Sequence, residues 1–186
     1  MRKKGEESAP GSEEEEFVPS LSVSHEAMLQ DGNDELFRRV LFLSRLFADR
    51  LLMFRDTVAD SVNLSGNQYV ILLAIAHAQG KGGTTVRDVS KYALMASTHV
   101  TTQVGYLIKK GLVSKGANAS DGRSVILLLT KSGEETMRTI APLRQKFNDA
   151  FFEGVTRSML VSAEKFLTRV TDNSEKALPL LAEKDD

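Results

Sequence analysis

The sequence of 186 residues contains no cysteine, and this absence removes several classes of function. Without thiols the chain has no disulfide framework, no thiol nucleophile or redox sensor, and no thiolate ligand for a metal. The three histidines, His25, His77 and His99, are scattered along the chain and match no zinc-binding motif. We therefore expect neither a metal site nor a bound cofactor.

Long hydrophobic runs and nucleophile motifs are also missing. Although 41% of the residues are hydrophobic, charges interrupt every apolar run well before the roughly 18 residues that a membrane-spanning helix needs. The opening MRKK continues into acidic rather than apolar residues, so no secretory signal is readable and a cytoplasmic location is expected. Neither the G-x-S-x-G motif nor the spacing of a phosphate loop is present. We predict no catalytic residues and a protein that is not an enzyme.

The net charge of −1 conceals an uneven distribution. Residues 1–35 hold three basic and ten acidic side chains, a net charge of −7, whereas residues 65–133 hold eight basic and two acidic side chains, a net charge of +6. A local basic excess is typical of a polyanion-binding face. On charge alone, a solvated surface that happens to be basic is equally compatible.

The N-terminal segment differs in composition from the rest of the chain. Residues 1–30 combine glycine, proline and a run of four glutamates, which is too polar and broken to pack, so we predict an acidic, flexible tail. An open alternative, without support from periodicity, is that its later apolar residues dock on a partner subunit. These residues are Phe17, Val18, Leu21 and Val23.

From Asp34 to about Val62, apolar residues recur at intervals of three and four, which predicts a long amphipathic helix. Further apolar residues widen the apolar face of this helix beyond one side. A chain of this size rarely covers such a helix on two sides. We therefore expect a second subunit to cover part of it. The predicted dimerisation residues, in this helix and in the C-terminal helices, are Leu36, Phe37, Val40, Phe151, Phe166, Leu167 and Val170.

Five further helices are predicted, each beginning at a hydroxyl residue that can cap it. The caps are Ser65, Thr85, Ser97, Thr130 and Thr156. The helices that start at Thr85 and Ser97 are short and joined by a tight turn, which indicates a helix-turn-helix. The β-prone runs 112–115 and 124–129 enclose a turn at Asp121-Gly122 and indicate a β-hairpin. The helix after Thr130 is expected to kink at Pro142.

This order of elements is that of a winged helix-turn-helix, and residues 86–133 resemble the MarR family of transcription regulators. The resemblance rests on V-T at 100–101, L-I-K-K-G-L-V at 107–113, D-G-R at 121–123 and L-T-K-S-G at 129–133. It implies a mainly α fold with a small β-hairpin wing, flanked by dimerisation helices. The implied domains are the tail 1–30, a helical dimerisation region formed by 31–64 and 134–181, and the DNA-binding domain 65–133.

The resemblance implies that the helix 97–110 and the wing bind double-stranded DNA. With Val100, Val104 and Leu107 facing inward, the polar side chains of this helix point outward. Hydroxyls and amides can bond base edges, and Lys109 and Lys110 can sit on phosphates. In the wing, Arg123 can enter a narrow minor groove, oriented by Asp121. The predicted DNA-binding residues are Ser97, Thr98, His99, Thr102, Gln103, Tyr106, Lys109, Lys115, Asp121 and Arg123.

The polar face of the helix 97–110 differs from the family pattern at two positions. The family often carries arginine where this chain has Thr102 and Tyr106, so its base preference cannot be transferred. For His99, a base contact and a plain surface position are equally compatible with the sequence.

The resemblance further implies a homodimeric repressor that binds a pseudo-palindromic operator and is released by a small aromatic or carboxylic effector. The segments 31–34 and 65–69 resemble the branch that controls aromatic-acid breakdown, which extends the candidates to aryl-CoA thioesters. Candidate effector residues, which combine aromatic walls with polar tips, are Phe42, Arg45, Tyr69 and His77. Ordinary packing explains most of them equally well, and for His77 a hydrogen-bonded core position is the preferred interpretation. The alternative function is a winged-helix protein–protein interaction module without sequence-specific DNA binding.

Overall fold

A computed structural model describes residues 17–117 and 125–181. They fall into two compact units that divide between Met53 and Phe54. The helices are α1 (Glu35–Asp60), α2 (Gly66–Ala78), α3 (Val86–Ala93), α4 (Ser97–Lys109), α5 (Lys131–Phe151) and α6 (Arg157–Ala177). The strands are β1 (Thr84–Thr85), β2 (Val113–Ala117) and β3 (Val125–Leu129), and single 3-10 turns lie at Glu26–Met28 and Leu178–Leu181. Within the described ranges, every helix is too short or too polar to cross a membrane.

In the first unit, Asp34 fastens the preceding segment to the start of α1. Its buried carboxylate accepts the backbone N–H of Ser22 at 2.6 Å and forms an ion pair with Arg38 at 2.8 Å. Gln30 and Asn33 bridge a tight turn whose central residues, Asp31 and Gly32, both have positive φ. The part of the predicted tail from residue 17 to residue 30 therefore has local structure and is hydrogen-bonded, through Ser22, to the residue before α1.

In the second unit, α2 is the central element of the core. The Ser65 hydroxyl accepts the N–H of Gln68, and the Gln68 side chain accepts the N–H of Ser65, each at 3.3 Å, so the predicted cap is a full capping box. Beyond this cap α2 contacts α3, α4, α5 and β3. Because neighbours lie on several sides, α2 is apolar almost all round. Its buried residues are Tyr69, Ile71, Leu72, Ala74 and Ile75.

The helix-turn-helix consists of α3 and α4, joined by the turn 94–96. Thr85 caps α3 as predicted, with its hydroxyl accepting the N–H of Asp88 at 3.2 Å. The predicted cap at Ser97 is wrong, since Ala96 occupies the N-cap position and Ser97 is already helical. The Ser97 hydroxyl instead donates to that of Ser90 at 3.1 Å, and the Ser90 hydroxyl donates to the carbonyl of Met95. These bonds connect the two helices across the turn.

The sheet is antiparallel, with strand order β1-β3-β2. Val113 pairs with Leu129 and Thr84 pairs with Leu127. The two predicted hairpin strands are present, with three of their four ends shifted by one or two residues, while the Asp121-Gly122 turn lies outside the described residues. The strand β1 was not expected, because two residues before a helix cap carry no periodic signal. The predicted fold class, mainly α with a small β wing, is confirmed.

The C-terminal helices begin at the predicted caps Thr130 and Thr156. Helix α5 continues through Pro142 to Phe151. Near its end, the Phe147 ring stacks on Phe54 of α1 with centroids 3.8 Å apart. Helix α6, in contrast, has no buried residue among those described. Among the described residues, α5 therefore packs on the core, whereas α6 remains exposed along most of its length.

Two glycines give opposite predictions for replacement by alanine. A Cβ at Gly133, in the first turn of α5, would collide with the backbone carbonyl of Leu112, whereas a Cβ at Gly105, inside α4, would meet nothing within 4 Å. We expect Gly133→Ala to destabilise the fold by about 1–3 kcal/mol, because backbone must shift. Gly105→Ala should stabilise it by about 0.5–1 kcal/mol through helix propensity. Urea unfolding of both variants measures the difference, and equal effects would contradict the close packing at Gly133.

The Asp34 contact predicts an acid-sensitive attachment of the N-terminal segment. The N–H of Ser22, assisted by Arg38, lowers the pKa of the Asp34 carboxyl below its usual range despite burial. A depressed pKa stabilises the folded form above the ordinary pKa of about 3.9, and this contribution is lost as the pH falls through the depressed value. The protection factor of the Ser22 amide, which is the intrinsic exchange rate divided by the observed one, should therefore fall on acidification. In Asp34→Asn the protection factor should be low already at neutral pH, and a high, pH-independent protection factor in that variant would refute the contact.

Candidate nucleic-acid interface

Helix α4 presents one polar face because its other face is buried. Val100, Val104 and Leu107 are buried against the core. On the opposite side, Thr98, Thr102, Tyr106 and Lys109 are exposed, and His99 and Gln103 flank them half-buried. Ser97 lies at the helix start, apart from this face, with its hydroxyl bonded to Ser90. The structure thus brings six predicted residues onto one surface, here called the α4 polar face: Thr98, His99, Thr102, Gln103, Tyr106 and Lys109.

The hydroxyl of Thr102 has a defined donor direction. It donates to the carbonyl of Thr98 at 3.1 Å, as Thr101 does to Ser97 at 2.8 Å. With its proton used inside the helix, the Thr102 oxygen offers lone pairs to an outside partner. In the major groove, the matching donors are the amino groups of adenine and cytosine.

The lysines near the end of α4 have different surroundings. The Nζ of Lys109 lies 5.9 Å from the ring centroid of the exposed Tyr106, so this ammonium remains on the polar face as a point charge. The Nζ of Lys110 instead donates to the backbone carbonyl of Asn63 at 2.8 Å. Lys115 is exposed on β2. The predicted wing residues Asp121 and Arg123 lie outside the described residues.

The basic charge of this region is not neutralised internally. The one acid among residues 65–117 and 125–133 is Asp88, whose carboxylate accepts the Thr85 hydroxyl at 2.7 Å. Over these same residues the structure shows no ion pair, so the seven cations they contain lack acidic partners there. The first turn of α4 also contains no acidic residue. Such a surface favours a polyanion.

The four candidate effector residues have different environments. In the first unit, Phe42 is 70% exposed and Arg45 is paired with Asp49 at 3.3 Å on the surface of α1. In the second unit, Tyr69 is part of the hydrophobic core. The core position preferred for His77 is wrong: the last turn of α2 leaves the core, and His77 is exposed, with its ring parallel to that of Tyr92 at 6.0 Å.

The predicted dimerisation residues divide into covered and uncovered ones. Phe151 is half-buried beside Phe147, at 5.0 Å between centroids, and Phe37 and Val40 are half-buried in the first unit. The others are large apolar side chains left exposed, namely Leu36, Phe166, Leu167 and Val170. The last three lie on α6, whose described residues provide no buried face.

Comparison with known proteins agrees with this architecture. The MarR family model matches residues 62–124. The HTH-type transcriptional regulator YwhA of Bacillus subtilis is 28% identical over 75 residues, which are 40% of this chain and 54% of YwhA, so the chain spans about half the length of that relative. The transcriptional activatory protein BadR of Rhodopseudomonas palustris is 22% identical over 152 residues, covering 78% of this chain and 84% of BadR.

Solved structures of regulators share the fold. CouR of Rhodococcus jostii RHA1, bound to p-coumaroyl-CoA, superimposes with a TM-score of 0.62 and 18% identity over 70% of this chain and 90% of CouR. The S. aureus MepR–DNA complex gives 0.60 and 17% identity over 71% of this chain and 96% of MepR. The matched segment contains the α4 polar face and six of the seven cations counted above. Residues 62–124 are thus similar to the MarR family of winged helix-turn-helix transcription regulators, and the fold of the described residues is the winged helix that the solved structures share.

Proposed function

We propose that the protein is a homodimeric repressor that binds an imperfect inverted repeat in double-stranded DNA and is released by a small aromatic or carboxylic effector. The observation that carries the proposal is the α4 polar face, held outward by the burial of Val100, Val104 and Leu107. Its hydroxyl, amide and aromatic groups suit base edges, and Lys109 suits a phosphate. The proposal includes repression rather than activation. The relative BadR, in contrast, is a transcriptional activatory protein.

The proposed domain division follows from the same arrangement. Residues 65–133 would bind DNA, with Arg123 in the minor groove, Asp121 orienting it and Lys115 at the base of the wing. The helices of 31–64 and 134–181 would form the dimer, and the acidic residues 1–30 would remain outside it as a tail. A cytoplasmic location is part of the proposal, because the DNA it binds is there.

A solved structure of similar fold and four residues of this chain support an aromatic effector. CouR is described in complex with p-coumaroyl-CoA, and the sequence resembles the branch that controls aromatic-acid breakdown. Phe42, Arg45, Tyr69 and His77 remain the candidate contacts. The exposed ones, Phe42, Arg45 and His77, are accessible to a ligand, whereas Tyr69 would have to act from within the core.

Selection of bound fragments from random DNA tests the operator and, with a second step, the effector. We expect inverted repeats with half-site centres about 10 base pairs apart and an affinity that falls steeply with salt. Arg123→Ala should weaken specific binding by roughly 1–3 kcal/mol and leave the melting temperature unchanged. Arg157→Ala, at the start of α6, serves as the matched control. Aromatic acids and their CoA thioesters should displace the best fragment.

Three results would redirect the proposal. Salt-insensitive binding, or no selected sequence, would favour the protein–protein interaction module. Unaltered affinity in Arg123→Ala would refute the role of the wing. Fragments that no aromatic acid or thioester displaces would refute the effector class.

The uncovered apolar side chains of α6 test the dimer. Leu167→Glu combined with Val170→Glu should give monomers that bind half-sites weakly, because a buried interface would have to accept two charges and the second half-site is lost. The control, Thr168→Glu with Asn173→Glu, adds the same charge to the polar side of α6. Sedimentation equilibrium and gel-shift titration measure both properties. A monomeric wild type on a single asymmetric site would contradict the dimer.

A further inference from the structure

We propose that Lys110 is a positioning residue that fastens the last turn of the recognition helix α4 to the corner between α1 and α2, and that it is not a phosphate ligand. The inference rests on the proposed DNA-binding function and specifies how the reading helix is held. Lys110 and Asn63 are 47 residues apart in sequence, yet the Lys110 Nζ donates to the Asn63 carbonyl at 2.8 Å.

The corner that receives Lys110 has a fixed backbone. Asn63 adopts the left-handed conformation, with φ 56°, in the turn three residues after the end of α1. Its N–H donates to the carbonyl of Asp60 at 3.1 Å, and the N–H of Leu64 donates to that of Ala59 at 2.9 Å. Leu64 is buried in the core, and Ser65 then caps α2. The backbone on both sides of the Asn63 carbonyl is therefore fixed by contacts that do not involve Lys110.

The electrostatics of the corner also favour a cation. The last carbonyls of α1 lie there, and the C-terminal end of a helix carries partial negative charge. No basic residue in the last turn of α1 satisfies this end. Lys110 brings an ammonium from another element to the place where α1 lacks one of its own.

The Lys110 contact adds to the other attachments of α4, which include Ile108, partly buried against the core, and the Thr130 hydroxyl on the Gly111 carbonyl. The hydroxyl bonds of Ser90 and Ser97 hold the first turn, and Val100, Val104 and Leu107 hold the middle. After Leu107, the next residue buried is Leu112, which lies beyond the helix. Lys109 lies between Leu107 and Leu112, and its ammonium must lie at a defined position along the axis of α4 to meet a phosphate. Fixing Lys110 fixes the neighbouring Lys109 on the polar face.

Replacing each lysine by methionine separates the two roles. Methionine keeps the length and apolar stem but removes the charge and the donor. Without DNA, K110M should accelerate amide exchange at residue 110, Gly111 and Leu64 about two- to fivefold, the range for an exposed charged contact. K109M should leave these amides unchanged, and K110R should restore slow exchange because arginine can donate to the same carbonyl.

On the best selected DNA fragment, the salt dependence gives a second reading. K109M should reduce the slope of log affinity against log salt by about 0.9, the value for one lost phosphate contact. K110M should weaken binding about two- to fivefold while the slope stays that of the wild type.

Each result decides the proposal. Unchanged exchange in K110M would overturn it, and so would a slope reduced as in K109M, since Lys110 would then be a phosphate ligand. If the wild type bound no DNA, the proposed function would fail, but the exchange of K110M, K109M and K110R would still show whether Lys110 holds the end of α4.

Discussion

The burial of Val100, Val104 and Leu107 is the constraint on which the α4 polar face depends. These residues lie on the side of α4 that faces the core, where α2 is its neighbour. Burying one such side chain contributes about 1.5–3 kcal/mol. Turning α4 by one residue, or 100°, would move this stripe out of the core at a cost of several kcal/mol. The α4 polar face is therefore oriented by hydrophobic packing, without any contribution from DNA.

Polar contacts at Thr130 connect this packing to the wing and to α5. The Thr130 hydroxyl donates to the Gly111 carbonyl at 2.6 Å and accepts the N–H of Gly133 at 3.0 Å, while its own N–H donates to the Leu112 carbonyl at 3.0 Å. One residue thus joins the end of α4, the start of β2 and the first turn of α5. The absence of a side chain at Gly133 permits this approach, because a Cβ there would meet the same Leu112 carbonyl.

The sequence predicted those features that short-range patterns determine. The caps at Ser65, Thr85, Thr130 and Thr156 are confirmed, because each is a hydrogen bond to an amide three residues ahead. The buried stripe of α4 was predicted for the same reason, since one helical period determines it. Composition also indicated the local basic excess, which needs only a count of charges.

The sequence-based predictions are wrong or incomplete where the environment of a side chain depends on residues that are distant in sequence. Ser97 has the chemistry of a cap, but Ser90 on the preceding helix receives its hydroxyl. His77 is in a helix whose other residues are mostly buried, yet the core ends before it. Lys110 and Lys109 are adjacent and chemically identical, and only the position of Asn63 distinguishes them. No local pattern contains that information, because the contact depends on how α1, α2 and α4 pack.

The open face of α6 connects stability with assembly. Large apolar side chains such as Leu160, Phe166 and Leu167 are about half exposed along a helix of 21 residues. Contiguous apolar surface of this kind marks an interface, and folding that is completed by an interface depends on protein concentration. In the proposed dimer, packing within each subunit sets the orientation of α4, whereas the interface sets the distance between the two copies. Under the proposed function, an effector that shifts the subunits would release DNA with each α4 polar face unchanged, because both copies must match the groove spacing.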